Sequence, residues 1–452
     1  MPKSYMQYTL PLDLSPADDP PAEKAEVISS SDNAISPEDR AFHDWYRFVL
    51  SFPPHLVRDY LNDFGLDERS TILGPFCGTG TTLVEAKLNH IRAIGTEANP
   101  FPYFASTVKT DWTVDPTALQ AFATQVADNT SAVLAEQGID DQALNCSSQA
   151  DLRTLPPQAR RALIKNSISP LPLHKTLVLL DQLNRQRETP FHKYGLLALG
   201  NALVATIGNL RFGPEVGVGK IKKDSPVVAA WLHEIRKMVG DLSRVDDPAY
   251  PPATVFLADA RALTTAIPEN SIDAVITSPP YPNEKDYTRT TRLESVILGF
   301  FEDMAHLRRF KKTLLRSNTR GVYKTDDDDQ WIADIPEIER LAAAIEARRL
   351  ELGKTSGFEK LYGRVTKLYF GGMARHLAEL TRVLKPGAKL AYVVGDQASY
   401  LRVMIRTGQI LADIAERSGY QVERIDLFRT RFATATQSDL REEVVVLRWP
   451  GS

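Results

Sequence analysis

TILGPFCGTGTTLVEAKLNHIRAIGTEANPF, residues 71–101, holds the reading on which the fold turns. Its texture predicts a short strand over 71–73, a turn carrying Gly78 and Gly80, and a helix from near Thr81. A second strand over 93–96 ends at Glu97. Glycines let the backbone bend and approach a ligand closely, and the helix start offers unpaired N–H groups. Alone, this is a tight strand-to-helix turn that needs no ligand. Glu97 shifts the balance. In doubly wound sheets an acid at the end of the second strand accepts hydrogen bonds from ribose hydroxyls. The pair points to an adenosine-containing ligand. The third glycine of a dinucleotide loop is missing, and no Lys-Ser/Thr comes after it as in a phosphate loop. GPEVGVGK at 213–220 mimics the latter, with one residue too many and Ile221 behind it.

The same alternation returns late in the chain, in ATVFLADA, DAVITSPPY, AKLAYVVGD, YQVERIDLF and EEVVVLRW. Helical periodicity dominates residues 115–245 and 288–380, with no convincing strand in the first block. The expectation is an α/β fold: a mostly parallel Rossmann-like sheet, covered on both faces and interrupted by two helical inserts. The last two strands, near 420–428 and 442–449, have no helix between them and should form an antiparallel hairpin. Residues 1–38, rich in Pro, Ser, Asp and Ala, read as a flexible arm. The sheet-bearing domain is expected over 39–112, 250–295 and 365–452. The inserts then occupy 113–249 (recognition or scaffold) and 296–364 (basic).

Two further strand ends carry polar chemistry. Asp259 lies just past ATVFL, beside Arg261, where a carboxylate could accept from an adenine amino group or simply cap the next helical turn. Ser278-Pro279-Pro280-Tyr281 ends the DAVIT strand with a stiff corner that lacks two backbone donors. Such a corner suits a planar amine, whose lone pair is delocalised into its ring. Two acceptors, the Ser278 hydroxyl and a carbonyl near Pro279, would localise that lone pair. Tyr281 would stack on an extruded base.

Together these pieces resemble the S-adenosylmethionine-dependent amino-methyltransferases of DNA. The resemblance rests on HDWYRFVLSFPPHLVRDYL, GPFCGTGTTLVEA, IGTEANPF, FLADARAL, TSPPY and VLKPGAKLAYVVGD, about half the chain. It implies a cofactor site built from Phe76, Cys77, Gly78, Thr79, Gly80, Thr81 and Thr82. Glu97 and Ala98 would hold the ribose, Asp259 and Ala260 the adenine, with Phe52 and Pro53 nearby. It implies S-adenosylmethionine as cofactor, no metal, and Ser278, Pro279, Pro280 and Tyr281 as the catalytic corner. Serine at the corner's first position goes with cytosine-N4 transfer, aspartate more often with adenine-N6. One residue departs: Gly74 stands where the family has Asp, which normally helps hold the methionine ammonium group. Cys77 lies on the cofactor loop, away from the corner, and reads as packing.

The implied partner is double-stranded DNA, within a restriction or phage-defence system or alone. The net charge of −3 does not announce a polyanion partner, so the contact surface must come from local clusters. LRRFKKTLLRSNTRGVYK, residues 307–324, carries seven Lys/Arg and no acid. Arg308, Arg309, Lys311, Lys312, Arg316 and Arg320 are its phosphate candidates. Asn283, Lys285, Tyr287, Arg289 and Arg292 come after the corner, and residues 213–225 are a weaker candidate. YKTDDDDQW, 323–331, reads as a solvated acidic loop. Two cysteines and no metal-ligand spacing fit a reducing compartment. No signal pattern opens the chain, so a cytoplasmic location is expected, as monomer or homodimer. An adenine-N6 or RNA-base enzyme and a catalytically silent nucleic-acid binder stay open.

Overall fold

The computed structural model describes residues 36–47, 51–142, 151–212, 216–245, 249–283, 285–433 and 438–451. Most of the expected arm, Cys146 and residues 213–215 at the start of GPEVGVGK lie outside them. Seven strands form one sheet: β1 (Thr71–Gly74), β2 (Arg92–Glu97), β3 (Ala253–Leu257), β4 (Ile272–Thr277), β5 (Leu384–Gly395), β6 (Gln421–Ala433) and β7 (Ser438–Arg448). Their spatial order is 3-2-1-4-5-7-6. The first five run parallel, and β7 is antiparallel to both β5 and β6. This is the expected Rossmann-like sheet with its C-terminal hairpin. The chain moves outward from β1 to β2 and β3, then restarts on the other side at β4. The switch point is therefore the β1/β4 boundary, where open α/β sheets bind ligands.

The helices are α1 (Pro54–Asp63), α2 (Thr81–Leu88), α3 (Pro100–Lys109), α4 (Pro116–Glu136), α5 (Pro157–Ala162), α6 (Pro170–Asn184), α7 (His192–Ala202) and α8 (Val227–Leu242). After β4 come α9 (Tyr287–Thr290), α10 (Arg292–Ile297), α11 (Met304–Lys311), α12 (Pro336–Glu351), α13 (Tyr362–Leu380) and α14 (Thr407–Arg417). One sheet face buries Ile72, Ala274, Ile276 and Val393 against Leu56, Val57 and Leu83 of α1 and α2. The other buries Leu73, Val275 and Val394 against Phe370 and Met373 of α13 and Ile410 of α14. Strands β1, β4 and β5 are thus covered on both sides, which explains their continuous rather than alternating apolar runs.

The first insert does not hang off this body. Phe122 of α4, Trp231 of α8 and Leu293 of α10 belong to one apolar cluster with Phe101 of α3. Residues 42–46 close it: Trp45 is fully buried, and its Nε1–H donates to Asp241 at 2.8 Å. Within this block a two-residue ladder pairs Leu210–Arg211 with Gly217–Val218, where no strand was expected. Two residues are too few to show alternation. The ladder takes up Gly217 and Val218, and the next helix begins only at Val227, so no helix start follows directly on residues 216–220. Among the described residues no helix is long and apolar enough to cross a membrane.

Candidate active site at the carboxyl edge of the sheet

Three strand ends meet at the switch point. Leu73 and Val275 are register partners, so Phe76 and Ser278, each three residues on, leave the sheet side by side. The Thr277 hydroxyl ties the two loops, lying 3.3 Å from Phe76 N and 3.4 Å from Phe76 O. The glycine loop is held to β2 as well: Cys77 N–H donates to Thr96 O at 3.1 Å, and Thr96 Oγ1 to Pro75 O at 2.8 Å. Gly80 caps α2 with φ +86°, and a Cβ there would lie 3.0 Å from the Ser106 Cβ of α3. Glycine is required here by conformation and by space. Gly78, φ +53°, faces open space. The Thr79 hydroxyl is buried with no partner among the described residues.

Glu97 sits across this hollow. One carboxylate oxygen accepts from Gly78 N–H at 3.0 Å, the other from Asn99 N–H at 2.8 Å. Burial raises its pKa from 4.5 to about 7, against the pull of those backbone donors. Burial also pushes the Cys77 thiol up, which leaves it a neutral packing group. A Cβ at Gly74 would lie 3.3 Å from Cys77 Cβ, so Cys77 occupies the room that a side chain at 74 would need. Phe52 packs at the edge of the cluster holding Cys77, and Pro53 is the N-cap of α1.

Asp259 is one-third exposed and gripped by Arg261, whose Nη2 and Nε lie 2.7 and 3.0 Å from its two oxygens. Arg261 is buried and also pairs with Asp328, which in turn meets Arg375 at 3.3 Å. Glycine makes this possible: a Cβ at Gly371 of α13 would overlap the Asp328 carbonyl. His376, one turn further on, is fully buried beneath Ala260 and Phe76. The Ala260 carbonyl can only accept, so Nδ1 (2.7 Å away) carries the proton and Nε2 accepts from the Tyr392 hydroxyl at 2.7 Å. Burial lowers its pKa to about 4, which keeps the ring neutral. Neither Asp328 nor His376 was legible in sequence. The Gly371–Gly372 pair was the one available signal of a close approach.

At the corner, the Ser278 hydroxyl donates to Val393 O of β5 at 2.9 Å. Its proton is thereby committed; the Tyr281 hydroxyl also bonds this oxygen, which leaves one lone pair for another donor. The Tyr281 ring lies against Gly395, where a Cβ would come within 3.1 Å of it. Burial, and then the Glu442 carboxylate, raise the phenol's pKa and keep it neutral. Tyr281 N–H donates to the Tyr287 hydroxyl at 3.2 Å, which braces the corner.

The DNA candidates divide. Arg308, Arg309, Lys312 and Arg320 are exposed. Lys311 pairs with Asp286 at 2.6 Å, and Arg289 Nε donates to Val216 O at 3.0 Å. Asn283, Arg292 and Arg316 must be removed from the phosphate candidates, because their polar groups are spent inside the fold. Asn283 is buried, its side-chain amide donates to Gln397 Oε1 at 3.4 Å and accepts from Lys285 N–H at 2.9 Å, and Arg292 is buried and donates to Thr288 O. Arg316 is buried, clamps Asp326 through two bonds of 2.8 Å, and donates to the Lys311, Lys312 and Leu314 carbonyls. The acidic loop is likewise corrected. Asp326 and Asp328 are internal counter-ions of Arg316 and Arg261, not solvated charges. Among the described residues no group of three His, Cys, Asp or Glu could hold a metal ion.

No family model matches the chain. Its sequence is 24% identical over 447 residues to Type II methyltransferase M.BsoBI of Geobacillus stearothermophilus, covering 91% of this chain and 85% of that protein. It is 31% identical over 205 residues to Type II methyltransferase M.AvaI of Nostoc, covering 43% of this chain and 42% of that protein. A looser likeness, at a TM-score of 0.31 and 12% identity, aligns 94% of the chain with 94% of the rRNA methyltransferase aviRa from Streptomyces viridochromogenes and bears no weight here. Along nearly its whole length, then, the chain is similar to a Type II methyltransferase.

Proposed function

We propose that the chain transfers a methyl group from S-adenosylmethionine to the exocyclic N4 amine of cytosine in double-stranded DNA, with the base flipped out of the duplex. The observation that carries this reading is the Ser278 hydroxyl. It stands beside the glycine loop, and its own proton is spent on Val393 O. Such an oxygen accepts one N–H of the amine, and the Pro279 carbonyl takes the other. The nitrogen lone pair is then localised towards the methyl group. The N–C bond forms as the C–S bond breaks, and the surplus proton on nitrogen leaves to solvent. Tyr281, neutral and half-buried, offers an aromatic surface to the base.

The glycine loop fits the cofactor. Gly78 faces open space, Thr79 Oγ1 lacks a partner among the described residues, and Glu97 keeps lone pairs for a diol. Bound there, S-adenosylmethionine supplies a methyl group activated by its sulfonium. Asp259, oriented by Arg261, takes the adenine amino group. The similarity to Type II methyltransferases supports the same reading and a restriction setting. To test it, the protein is incubated with methyl-labelled cofactor and duplex DNA, with RNA in a parallel reaction, and the nucleic acid is digested to nucleosides. N4-methylcytosine is expected. N6-methyladenine or label in RNA would move the target, and DNA binding without transfer would leave a silent binder.

Glu97 gives this reading a pH signature. With its pKa raised to about 7, the folded chain favours the neutral acid. That contribution to stability is full below pH 4.5 and is lost as pH rises towards 7. Ribose hydroxyls favour the carboxylate, so cofactor binding releases a proton. Calorimetric affinity for S-adenosylhomocysteine should rise between pH 6 and 8, by at most about tenfold per unit below pH 7. Glu97→Gln should flatten that profile. An unchanged profile would remove Glu97 from the ribose site.

A further inference from the structure

The β6–β7 hairpin is longer than the sheet it closes. Gly395, the last residue of β5, faces Glu442, which pairs across the hairpin with Arg429. Four more pairs lie beyond: Thr430 with Arg441, Arg431 with Leu440, Phe432 with Asp439, and Ala433 with Ser438. At about 3.4 Å per residue, this tip overhangs the carboxyl edge by roughly 14 Å. The overhang starts at the catalytic corner, since Tyr281 and Glu442 both crowd Gly395. Glu442 is occupied by Arg429, at 2.6 Å.

The overhang carries unspent groups. Arg431 is exposed, and Phe432 is 58% exposed. Lys285 comes from the loop after the corner and is held at the same edge: its N–H donates to Asn283 Oδ1 at 2.9 Å, and the Asn283 amide lies 3.4 Å from Gln397 Oε1, two residues past Gly395. Burial first, and then the Arg431 guanidinium, push its pKa down, against the pull of Glu442. Neither Lys285 nor Arg431 forms an ion pair with a described carboxylate. The Glu442 carboxylate also acts on Lys285 but is already paired with Arg429, so an anion seated between Lys285 and Arg431 relieves the repulsion of the two cations. An exposed aromatic ring beside them adds an apolar surface.

On the reading that this chain methylates a flipped base, we infer that the hairpin tip is a DNA-contacting finger. Arg431 and Lys285 together hold a backbone phosphate beside the flipped nucleotide, and Phe432 rests on the duplex next to the gap. This element lies outside both helical inserts, where basic composition alone would place the contact.

Duplex affinity is measured by fluorescence anisotropy across a salt series, for the full chain and for Arg431→Ala, Lys285→Ala and the double variant. The double variant should lower the slope of log K against log salt by about 1 and each single variant by less, with similar loss on any sequence. In the wild type, one neutral methylphosphonate beside the target should weaken binding, and in the double variant it should not. Phe432→Ala should slow transfer on a matched duplex and recover on a duplex mismatched at the target base. Unchanged salt slopes and an unchanged methylphosphonate response in the double variant would overturn the finger while wild-type transfer persists. Absence of wild-type transfer, with the slopes altered as expected, would instead strike the methyltransferase reading and spare the finger as a nucleic-acid contact.

Discussion

Ser278→Ala should cut methyl transfer to DNA by about 10²–10³-fold while cofactor affinity stays within about twofold. The rate figure is that for removing one pre-aimed polar group from a developing charge. Attack by the amine gathers positive charge on nitrogen, and its two hydrogens then bond more strongly to fixed acceptors. Ser278 is fixed by the 2.9 Å bond to Val393 O on the neighbouring strand. That strand cannot move without disturbing the register of β4 and β5 at Thr277 and Tyr392. Alanine leaves the corner in place, because the two prolines set its path. It costs one hydrogen bond and leaves the Val393 carbonyl short of a donor, about 1–3 kcal/mol of stability. Single-turnover transfer with saturating cofactor, alongside calorimetric cofactor binding, separates the two effects. Equal losses in rate and in cofactor affinity would mean that Ser278 shapes the cofactor site, and the assigned role would fall.

Arg316→Ala should destabilise the fold by about 3–5 kcal/mol, the range for leaving one member of a buried ion pair without its partner. Read as a basic stretch, Arg316 looks like its neighbours. In the fold it is 4% exposed and closes the end of α11 through three main-chain carbonyls while holding Asp326. Deleting it strands a carboxylate and several acceptors at once. Arg308→Ala, on the exposed side of the same helix, should change stability by no more than about 0.5 kcal/mol. It should act on DNA affinity instead. Urea unfolding monitored by fluorescence distinguishes the two variants. A small effect of Arg316→Ala, with a large loss of DNA binding, would return Arg316 to the phosphate surface. Arg316→Met/Asp326→Leu, which removes both charges, should recover part of the loss, since the cost lies in the charge left behind.

The helical inserts show where one-dimensional reading stops. A run of seven cations within 307–324 has a single composition, yet its members meet opposite fates. Arg308, Arg309 and Lys312 face solvent, Lys311 pairs with Asp286, and Arg316 is sealed beneath the acidic loop. Spacing cannot report this, because the counter-ions arrive from distant or irregular segments. The same holds at the end of β3. Asp259 and Arg261 are neighbours in sequence, but the Asp328 that completes the set comes from 67 positions away.

The sequence by itself determined the elements that depend on local chemistry. Glycine at 78 and 80 meets a backbone demand of positive φ, and apolar runs of four to six residues between turns specify buried parallel strands. Two prolines end a strand wherever it lies. These local demands lead to the sheet, its hairpin and the edge at which chemistry gathers. Tertiary structure alone decided which charges remain for a partner, how the Ser278 proton is spent, and how far the last hairpin reaches beyond the sheet. Those outcomes depend on register and on long-range pairing, in which groups from 10 to 115 positions apart share hydrogen bonds.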